Sequence, residues 1–472
     1  MTATSIYNVL DYGAVGDGVH DDAAAINAAL AASVTQPNPG GGMCYIPDGT
    51  FLLKAETLSL PASTHLLIDG TVILAADVAI DILTVGGSGI LIEGIGTLDG
   101  NSSNQTAANT GIAIKSGVAP VGVAVHGLTI QDTSGPAVAL VNVTNGTLDG
   151  LTFSNNTVRA TIGNGCSNCR ATNLTVSGGG DIGLAFYDGA TACGVSGSWF
   201  SGNATNIAVV ADAAGSNACS HITIANNTCA AATGSSPGIA ILSVSGTTHS
   251  AITITGNETY GNGGGGIALS AVSDCTVSSN NCHDDTGVEI AVGSSTTTAA
   301  CSLVSVVDNT CAASSTTGTV GISVAAASGT IHTDLNVSGN TCTGNPGGGI
   351  AIAQVTGCVV SGNLCAGDTG TEVTIGGASS TVNVTGNNCN DVVADSSGSG
   401  VGIAVADTVA QLTVFHNHIW SSGTGMTYCI TGGPNNDTYI HGNFLGGWTT
   451  AASDYNTSGT NFQQSANTVP LA

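Results

Sequence analysis

Apolar and polar residues alternate in short runs along most of the chain. Runs of three to six residues place a β-branched or other apolar side chain at every second position, and Gly or Asn ends each run. This period of two predicts β-strands bounded by turns. The i, i+3, i+4 and i+7 spacing of an amphipathic helix is missing from these runs. The chain is therefore predicted to be all-β through most of its length.

One of these runs recurs nine times between Ile222 and Leu445 as an apolar strand, an Asn and, two residues later, usually a Cys or another apolar residue. The turn asparagines, 23 to 31 residues apart, are Asn227, Asn257, Asn280, Asn309, Asn340, Asn363, Asn387, Asn417 and Asn443. Strand repeats of this length predict a solenoid, in which each coil buries its apolar face against the next coil. Asn suits the turn because it tolerates left-handed geometry and its amide can bond neighbouring coils.

A second phrase, Gly-Ile-Ala followed by an apolar residue, lies between the Asn phrases, for example at Gly238 and Gly349. Each coil therefore carries at least two short strands. Stacked at the ~4.8 Å strand spacing, they predict a single-stranded right-handed parallel β-helix of roughly a dozen coils. The cysteines after the Asn turns are expected to point inward as buried free thiols. Disulfides between coils and a zinc site at Cys166 and Cys169 are the alternatives.

The ends of the chain differ from the repeat. Residues 11–30 combine a turn-rich loop, Asp21 and Asp22 as candidate helix caps, and an alanine-rich stretch whose apolar face includes Ile26 and Leu30. A short helix here would cover the unpaired edge of the first coil. The predicted division of the chain is an N-terminal cap with the first strands at 1–60, a parallel β-helix at 61–446 and a C-terminal tail at 447–472.

The chain is strongly acidic. Four Lys and Arg stand against thirty Asp and Glu, which gives a formal net charge of −26. This balance argues against nucleic acid and anionic lipid as partners. No stretch is long and apolar enough to predict a membrane span, and the N-terminus lacks the basic and apolar regions of a cleavable signal peptide.

Polar residues end the Gly-Ile-Ala strands in the first half of the chain. Aligned on that phrase, successive coils end in Lys115, Asn142, Asn164, Tyr187 with Asp188, and Asp212. Asp188 and Asp212 are expected one coil apart. Two carboxylates that close have pKa values pushed apart, so that one can act as acid and the other as base or nucleophile. Asp181, at the start of the same strand as Asp188, is a third candidate, and Tyr187 is a candidate for proton transfer.

Three of the four cations of the chain, Lys115, Arg159 and Arg170, fall in the same stretch. They are candidates for binding a uronate carboxylate or stabilising an enolate-like intermediate, with Asn142 and Asn164 as further substrate-binding side chains. The alternative is that the cations neutralise nearby Asp residues and that the Asp candidates are ordinary turn residues.

A second acidic set repeats the phrase Asp-Thr-Gly-x-Glu, at Asp285 to Glu289 and at Asp368 to Glu372. Two coils are expected to lie between the copies, which places the two glutamates ~14 Å apart. That separation exceeds the ~5 to 9.5 Å of glycosidase carboxylate pairs. Structural repetition is therefore one interpretation, and a local hydrolytic or calcium site within each copy is the other.

The N-terminal stretch YNVLDYGAVGDGVHDDAAAINAAL at residues 7–30, followed by YIPDGTF from Tyr45, resembles the opening of pectate-lyase-like β-helix proteins. Mannuronan C5-epimerase modules and phage tailspike depolymerases share that opening. The resemblance implies a right-handed parallel β-helix, secreted or virion-borne, that acts on polysaccharide, in tailspikes often as a homotrimer. AVVAD, ending at Asp212, resembles the epimerase strand that ends in a catalytic Asp. GLAFYD, ending at Asp188, occupies the place of the epimerase Tyr-Gly-Phe-Asp-Pro-His segment without its Pro and His.

Two classes of function follow from these observations. The first is an enzyme that cleaves or modifies an extracellular polysaccharide. In a lyase or epimerase form, Lys115 and Arg159 neutralise a uronate, and Tyr187 or Asp188 moves the C5 proton. In a hydrolase form, Asp188 and Asp212 act as acid and base. The second is a non-catalytic glycan-binding or structural rod, which the Ala, Ser, Thr and Gly exterior of the later coils favours.

The sequence requires no cofactor. The low cation count favours a neutral or weakly acidic glycan, or a calcium ion that supplies the positive charge. The expected location is outside the cell or on a virion.

Overall fold

The chain folds as a right-handed parallel β-helix with one short α-helix near its N-terminus, as the strand pattern predicted. The computed structural model describes residues 5–35, 41–106, 114–116, 119–158, 160–211, 217–243, 247–293, 299–313, 319–391, 393, 400–406, 408–421, 426–432 and 438–446, and the backbone of 455–456 and 463–465. Contacts divide the chain into two compact units, residues 1–228 and 229–472. The three-part division made from the sequence stays a prediction.

In the first unit, residues 1–228, strands of successive coils pair in parallel within three sheets. Sheet A contains Ile6–Asn8, Met43–Ile46, His65–Ile68, Ile90–Gly94, Val121–His126, Thr144–Asp149, Arg170–Thr172, Gly194–Ser196 and Thr223–Ala225. Sheet B contains Asp17–Asp21, Thr50–Leu53, Thr71–Leu74, Thr97–Asp99, Thr129–Gln131, Thr152–Ser154, Thr175–Ser177 and Trp199–Ser201. Sheet C contains Leu58–Leu60, Leu83–Val85, Ile114–Ser116, Val138–Val141, Ala160–Gly163, Ile182–Tyr187 and Thr205–Ala211.

In the second unit, residues 229–472, the same three sheets recur. Sheet A contains His249–Ser250, Thr253–Thr255, Val272–Ser278, Ser302–Val307, His332–Ser338, Val355–Ser361, Ser380–Thr385, Ala410–Phe415, Thr438–His441 and Gln463–Ser465. Sheet B contains Glu258–Tyr260, Asn281–His283, Thr310–Ala312, Thr341–Thr343, Leu364–Ala366, Asn388–Asn390, His418–Trp420 and Phe444–Gly446, and Thr228–Ala230 lies at the unit boundary. Sheet C contains Ile239–Ser243, Ile267–Leu269, Ile290–Val292, Ile322–Val324, Ile350–Ala353, Thr371–Gly376, Val401–Val405, Tyr428–Gly432 and Tyr455–Asn456.

The predicted N-terminal helix spans Ala23–Thr35 and buries Ile26 and Leu30 completely. The Asp21 carboxylate accepts a hydrogen bond from the Ala23 backbone N–H at 3.3 Å, which caps the first turn. The helix packs against the strands of the first coils. The 3₁₀ turns Val9–Tyr12 and Ser102–Asn104 complete the helical elements of the described residues. None of the helices described here has the length and apolar character that crossing a bilayer demands.

The turn asparagines of the second unit form a buried ladder, as their spacing predicted. Asn340 illustrates the bonding: its backbone N–H and its Nδ2 both donate to Asn363 Oδ1, at 2.9 and 3.0 Å. Its Nδ2 also donates to the Val306 carbonyl at 2.8 Å. Asn309 donates to Asn340 Oδ1 in the same two ways from the preceding coil. Each amide therefore fixes the position of one coil relative to its neighbours.

All fifteen cysteines are buried free thiols, which confirms that prediction over the disulfide alternative. The cysteines two residues after the ladder asparagines point inward and lie in register, from Cys282 through Cys311, Cys342 and Cys365 to Cys389. Burial raises the pKa of Cys282, Cys311 and Cys389, that of Cys311 to about 11, and a hydrogen bond with the neighbouring thiol raises the pKa of Cys342 and Cys365. Their side chains fill the interior of the second unit.

Replacing one ladder asparagine is expected to destabilise the second unit. Asn340→Ala leaves the Asn309 backbone N–H buried without its acceptor, at a cost of about 1 to 3 kcal/mol. Asn383→Ala, at an outward position on sheet A, is the matched control, with an expected change below about 0.5 kcal/mol. Urea unfolding followed by circular dichroism measures both variants. Equal midpoints for the two would contradict the role of the ladder.

Candidate functional site

The polar column predicted on sheet C has a different register in the structure. Lys115 lies opposite Ala139 of the next coil, whereas Asn142 follows the end of that coil's strand. Lys115 therefore lies about 10 Å along the strand from the level of Asn142, and its inclusion in one column with Asn142 was wrong. The Lys115 ammonium donates to Asp81 Oδ2 at 3.1 Å. A local carboxylate thus neutralises this cation, as the alternative interpretation held.

Asn142, Asn164 and Asp188 do stack, as turn residues. Their φ angles of 54°, 42° and 43° are left-handed, a conformation that Asn and Asp tolerate. Each donates its backbone N–H to the next coil: Asn142 to the Asn164 carbonyl and Asn164 to the Tyr187 carbonyl, both at 2.9 Å. The Asp188 carboxylate accepts from the backbone N–H of Asn217. These contacts account for the three residues as turn formers, and a role in binding or catalysis stays a prediction.

The remaining sheet C candidates do not converge with Asp188. Tyr187 ends the strand Ile182–Tyr187, directly before Asp188, whereas Asp181 precedes the first residue of that strand. A strand of this length separates Asp181 from Asp188 by about 20 Å. The two carboxylates therefore lie at opposite ends of one strand of sheet C.

The predicted cluster of cations is not formed by the described residues. Arg170 lies on sheet A, where its guanidinium donates to the carbonyls of Cys169 and Ala192. It is thus on a different face from Lys115, because the two residues belong to different sheets. Asp212 and Arg159 lie outside the described residues.

Sheet A of the first unit carries a set of titratable side chains that alignment on sheet C did not reveal. Glu93 lies opposite His126, and His126 lies opposite Asp149, so the three residues are in register on successive coils. The three side chains are between 36% and 39% exposed. We call Glu93, His126 and Asp149 the sheet A column. It places a carboxylate, an imidazole and a second carboxylate side by side on an accessible face.

Asp149 is the best-anchored member of the column. Its Oδ1 accepts from Thr172 Oγ1 at 2.6 Å and from Asn173 Nδ2 at 2.9 Å. His126 Nδ1 lies 3.6 Å from Asp149 Oδ2. The hydrogen bonds from Thr172 and Asn173, and then the His126 ring, lower the pKa of Asp149. Asp149 is therefore the carboxylate that stays ionised most readily.

Glu93, at the other end of the column, pairs with a second imidazole. Its Oε1 lies 2.7 Å from His65 Nε2. Two strand spacings separate Glu93 from Asp149, which is roughly 10 Å. Carboxylate pairs that hydrolyse glycosides with inversion lie ~6.5 to 9.5 Å apart, which leaves room for the attacking water. The spacing of the Glu93 and Asp149 backbone positions lies just above that range.

The sequence did contain a signal for the sheet A column. Each member stands directly before a glycine and the next strand, in the phrases LIEGIGTL, AVHGLTIQ and TLDGLTFS. Aligning these phrases on their glycines places Glu93, His126 and Asp149 in one line. The Gly-Ile-Ala alignment missed them because it follows sheet C.

The second unit holds a smaller cluster around one imidazole on the outer face of sheet B. His283 Nδ1 lies 2.9 Å from Asp284 Oδ2, and His283 Nε2 lies 3.5 Å from Glu258 Oε1. The ring stacks on Tyr260, with centroids 5.4 Å apart. Partial burial opposes a raised pKa for His283, but the two carboxylates outweigh it and the pKa is raised. This cluster favours an imidazolium held between carboxylates.

The repeated Asp-Thr-Gly-x-Glu phrases lie inside the second unit. Asp285 is 3% exposed, and Glu289, Asp368 and Glu372 are fully buried. The predicted two coils do lie between the copies. Burial, and then the neighbouring Asp, raises the pKa of Glu289 to about 9 and that of Glu372 to about 11. A hydrolytic role for these carboxyls is wrong, because no polysaccharide can reach them.

Two family models match the chain. The family described as rhamnogalacturonase A/epimerase, pectate lyase-like, matches residues 6–230, and the right handed beta helix region matches residues 210–363. Plasmin and fibronectin-binding protein A of Streptococcus pneumoniae is 51% identical over 59 residues, 12% of this chain and 8% of that protein. Mannuronan C5-epimerase AlgE4 of Azotobacter vinelandii is 49% identical over 49 residues, 10% of this chain and 8% of that protein. The matched segments are thus a small part of either relative.

Solved structures share the fold more widely. PfbA, a surface adhesin of Streptococcus pneumoniae, aligns with a TM-score of 0.52 and 19% identity over 75% of this chain and 89% of that chain. The Family 28 exopolygalacturonase of Yersinia enterocolitica aligns with a TM-score of 0.51 and 14% identity over 76% and 75% of the two chains. The Dettilon tailspike protein gives a TM-score of 0.51 and 16% identity over 76% and 66%. At these identities the likeness is one of fold.

The raised pKa of Glu289 predicts a pH-dependent stability for the second unit. The folded chain keeps a proton that the unfolded chain releases above the ordinary pKa of 4.5, so stability falls as pH rises from about 4.5 towards about 9. Glu289→Gln removes this titration and reduces the slope by about 1.4 kcal/mol per pH unit. Urea unfolding between pH 5 and pH 8 measures the difference from the parent protein. Asp308→Asn, at an exposed turn of the same unit, is the control and should keep the slope of the parent protein. Identical slopes for Glu289→Gln and the parent would refute the assignment.

Proposed function

We propose that the chain is a member of the pectate-lyase-like right-handed parallel β-helix proteins and that it hydrolyses an extracellular polysaccharide at the sheet A column. The observation that carries the proposal is the register of Glu93, His126 and Asp149 on three successive coils. These residues lie within the segment that the rhamnogalacturonase A/epimerase family matches. A glycan chain laid along the column would contact all three side chains at once.

In this proposal the two carboxyls at the ends of the sheet A column have different roles: Asp149 is the base and Glu93 is the acid. Asp149, with its lowered pKa, takes a proton from the water that attacks the anomeric carbon. Glu93 gives a proton to the glycosidic oxygen, which leaves as a hydroxyl. Asp149 then releases its proton to water, and Glu93 takes one back from water through the His65 ring 2.7 Å away. His126 lies between them and hydrogen-bonds the sugar at the cleaved bond. The two strand spacings between Glu93 and Asp149, roughly 10 Å, favour inversion over retention, because retaining carboxylate pairs lie only ~5 to 5.5 Å apart.

A neutral glycan is the substrate class that the charges favour. The cations of the described residues are engaged within the chain: Lys54 donates to the Val19 carbonyl, Lys115 pairs with Asp81, and Arg170 donates to two carbonyls. The chain as a whole carries a formal charge of −26. A lyase or epimerase must stabilise negative charge beside a uronate carboxylate, which requires a free cation or a bound metal ion. Hydrolysis of a neutral glycan has no such requirement.

The second candidate function is glycan binding without turnover, which an aromatic set in the second unit favours. Phe415 stacks on His441 with centroids 5.3 Å apart, and Phe444 stacks on His418 at 4.8 Å. Trp420 lies beside Phe444 and is 36% exposed. Flat aromatic faces on an outer surface suit the apolar face of a sugar ring. The likeness of fold to a surface adhesin agrees with this alternative.

The proposal places the protein outside the cell or on a virion, where such polysaccharides are met. The structural relatives described as a surface adhesin and a tailspike support this location. A homotrimer, which the tailspike resemblance implied, is part of the same proposal. Sedimentation of the full chain would reveal three copies per particle or a single chain.

Removing either carboxylate of the column is expected to abolish cleavage without loss of folding. Asp149→Asn and Glu93→Gln should each lower the release of reducing ends by about 10² to 10⁴-fold, the usual contribution of an acid or base. The assay uses a panel of neutral and acidic glycans. Asp308→Asn, at an exposed turn that also follows a sheet A strand, is the control and should cleave like the parent. Full activity in Asp149→Asn would overturn the assignment.

The binding alternative has its own test. Trp420→Ala together with Phe444→Ala should weaken glycan binding by about tenfold, because each stacked ring contributes about 0.5 to 1.5 kcal/mol. Trp199→Ala, at an exposed tryptophan of the first unit, is the matched control and should leave affinity unchanged. Calorimetry or affinity electrophoresis measures both. Binding that depends on the aromatic set, with no cleavage by the parent protein, would favour an adhesin over an enzyme.

A further inference from the structure

Three donor atoms of different chemistry converge inside the second unit. The sulfur of Cys365 and one carboxylate oxygen each from Asp368 and Glu372 all lie within 4.8 Å of one another. All three residues are fully buried. We propose that Cys365, Asp368 and Glu372 bind a structural zinc ion, independently of the proposed activity on polysaccharide.

Three of the four carboxylate oxygens of Asp368 and Glu372 have no hydrogen-bond donor among the described residues. They are both oxygens of Glu372 and Asp368 Oδ2. Burying an unpaired carboxylate costs several kcal/mol, so native proteins pair it, protonate it or give it a cation. Two such groups side by side therefore require a positive charge or a shared proton.

One oxygen of Asp368 is held by Asn345, and the other has no hydrogen-bond donor among the described residues. Its Oδ1 accepts from the Asn345 backbone N–H at 2.6 Å and from Asn345 Nδ2 at 2.8 Å. This fixes the carboxylate and leaves Oδ2 directed towards Cys365 and Glu372. Gly349 contributes to the space, because a Cβ at that position would lie 2.7 Å from Asp368 Oδ2.

The other copy of the phrase provides an internal comparison. Cys282, Asp285 and Glu289 have the same spacing in the sequence as the proposed ligands. There, however, Thr259 Oγ1 donates to Asp285 Oδ2 at 3.2 Å. The three donor atoms of that copy, all on described residues, do not come within 4.8 Å of one another. The two copies therefore differ at one atom: Asp285 Oδ2 has a hydrogen-bond donor, whereas Asp368 Oδ2 has none among the described residues.

The residue in register explains why the two copies differ. Thr259 lies opposite Cys282, whereas Cys342 lies opposite Cys365. The hydroxyl donor of the first copy is therefore replaced by a thiol at the second. Cys389 lies opposite Cys365 on the other side. Soft sulfur donors consequently flank the proposed site in both neighbouring coils.

This donor set selects zinc. Zinc accepts thiolate and carboxylate ligands together in four-coordinate sites, whereas calcium takes six to eight oxygen ligands. A flanking thiol, from Cys342 or Cys389, is a candidate for the fourth ligand. The two positive charges of zinc offset two of the three negative charges that Asp368, Glu372 and the Cys365 thiolate carry as ligands. Because the site is closed, the ion enters as the coils assemble, and its binding energy adds to the stability of the second unit.

Zinc content tests the proposal directly. The full chain is produced in zinc-supplemented medium, treated with EDTA while folded and desalted, and its metal is measured by mass spectrometry. About one zinc per chain is expected in the parent protein and in the matched controls Cys282→Ser and Glu289→Gln. Cys365→Ser and Glu372→Gln are expected to carry less than about 0.1. Circular dichroism checks that every variant is folded.

Cobalt substitution gives a second, spectroscopic readout on the parent protein. The parent protein, unfolded in EDTA and refolded with Co²⁺, should show thiolate-to-cobalt charge-transfer absorption in the near ultraviolet. Cys282→Ser should retain this absorption. A parent protein that refolds without zinc or the cobalt band overturns the proposal. In that case a shared proton neutralises the pair, and Glu372→Gln should stabilise the second unit at neutral pH.

Discussion

The buried amide ladder is the interaction on which the rest of the second unit depends. Each ladder asparagine bonds both neighbouring coils through its own backbone N–H and its side-chain amide, as Asn340 does with Asn309 and Asn363. An unmatched amide at this depth costs about 1 to 3 kcal/mol, so a coil shifted by one residue is strongly disfavoured. The ladder therefore fixes the register of the strands, and that register sets which outward side chains become neighbours.

The interior of the molecule could be predicted from the sequence because its rules are local and repeated. The Asn turns, the inward cysteines and the capping helix each follow from residue type and spacing. The outward face follows no such rule. The strand Ile114–Ser116 and the strand Val138–Val141 differ in length, and counting from the phrase start placed Lys115 level with Asn142. The strand pairing in the structure shows instead that Lys115 lies opposite Ala139, three residues before Asn142.

The two units carry different chemistry on the same backbone plan. The first unit places Glu93, His126 and Asp149 on an accessible face, whereas corresponding positions in the second unit are mostly Ser and Thr before the aromatic set begins. The second unit instead buries its distinctive carboxyls. Enzymes and adhesins share this fold, so backbone likeness leaves function open and the outward columns decide it.

The fifteen buried thiols can report which coils of the β-helix unfold first. Burial raises the pKa of Cys44 and of Cys358 to about 12, and neither sulfur is reachable from water in the native state. An alkylating reagent at neutral pH therefore reacts with a given cysteine after the coil around it has separated. Cysteines occur from Cys44 to Cys429. The order in which they are alkylated therefore shows the order in which the coils unfold.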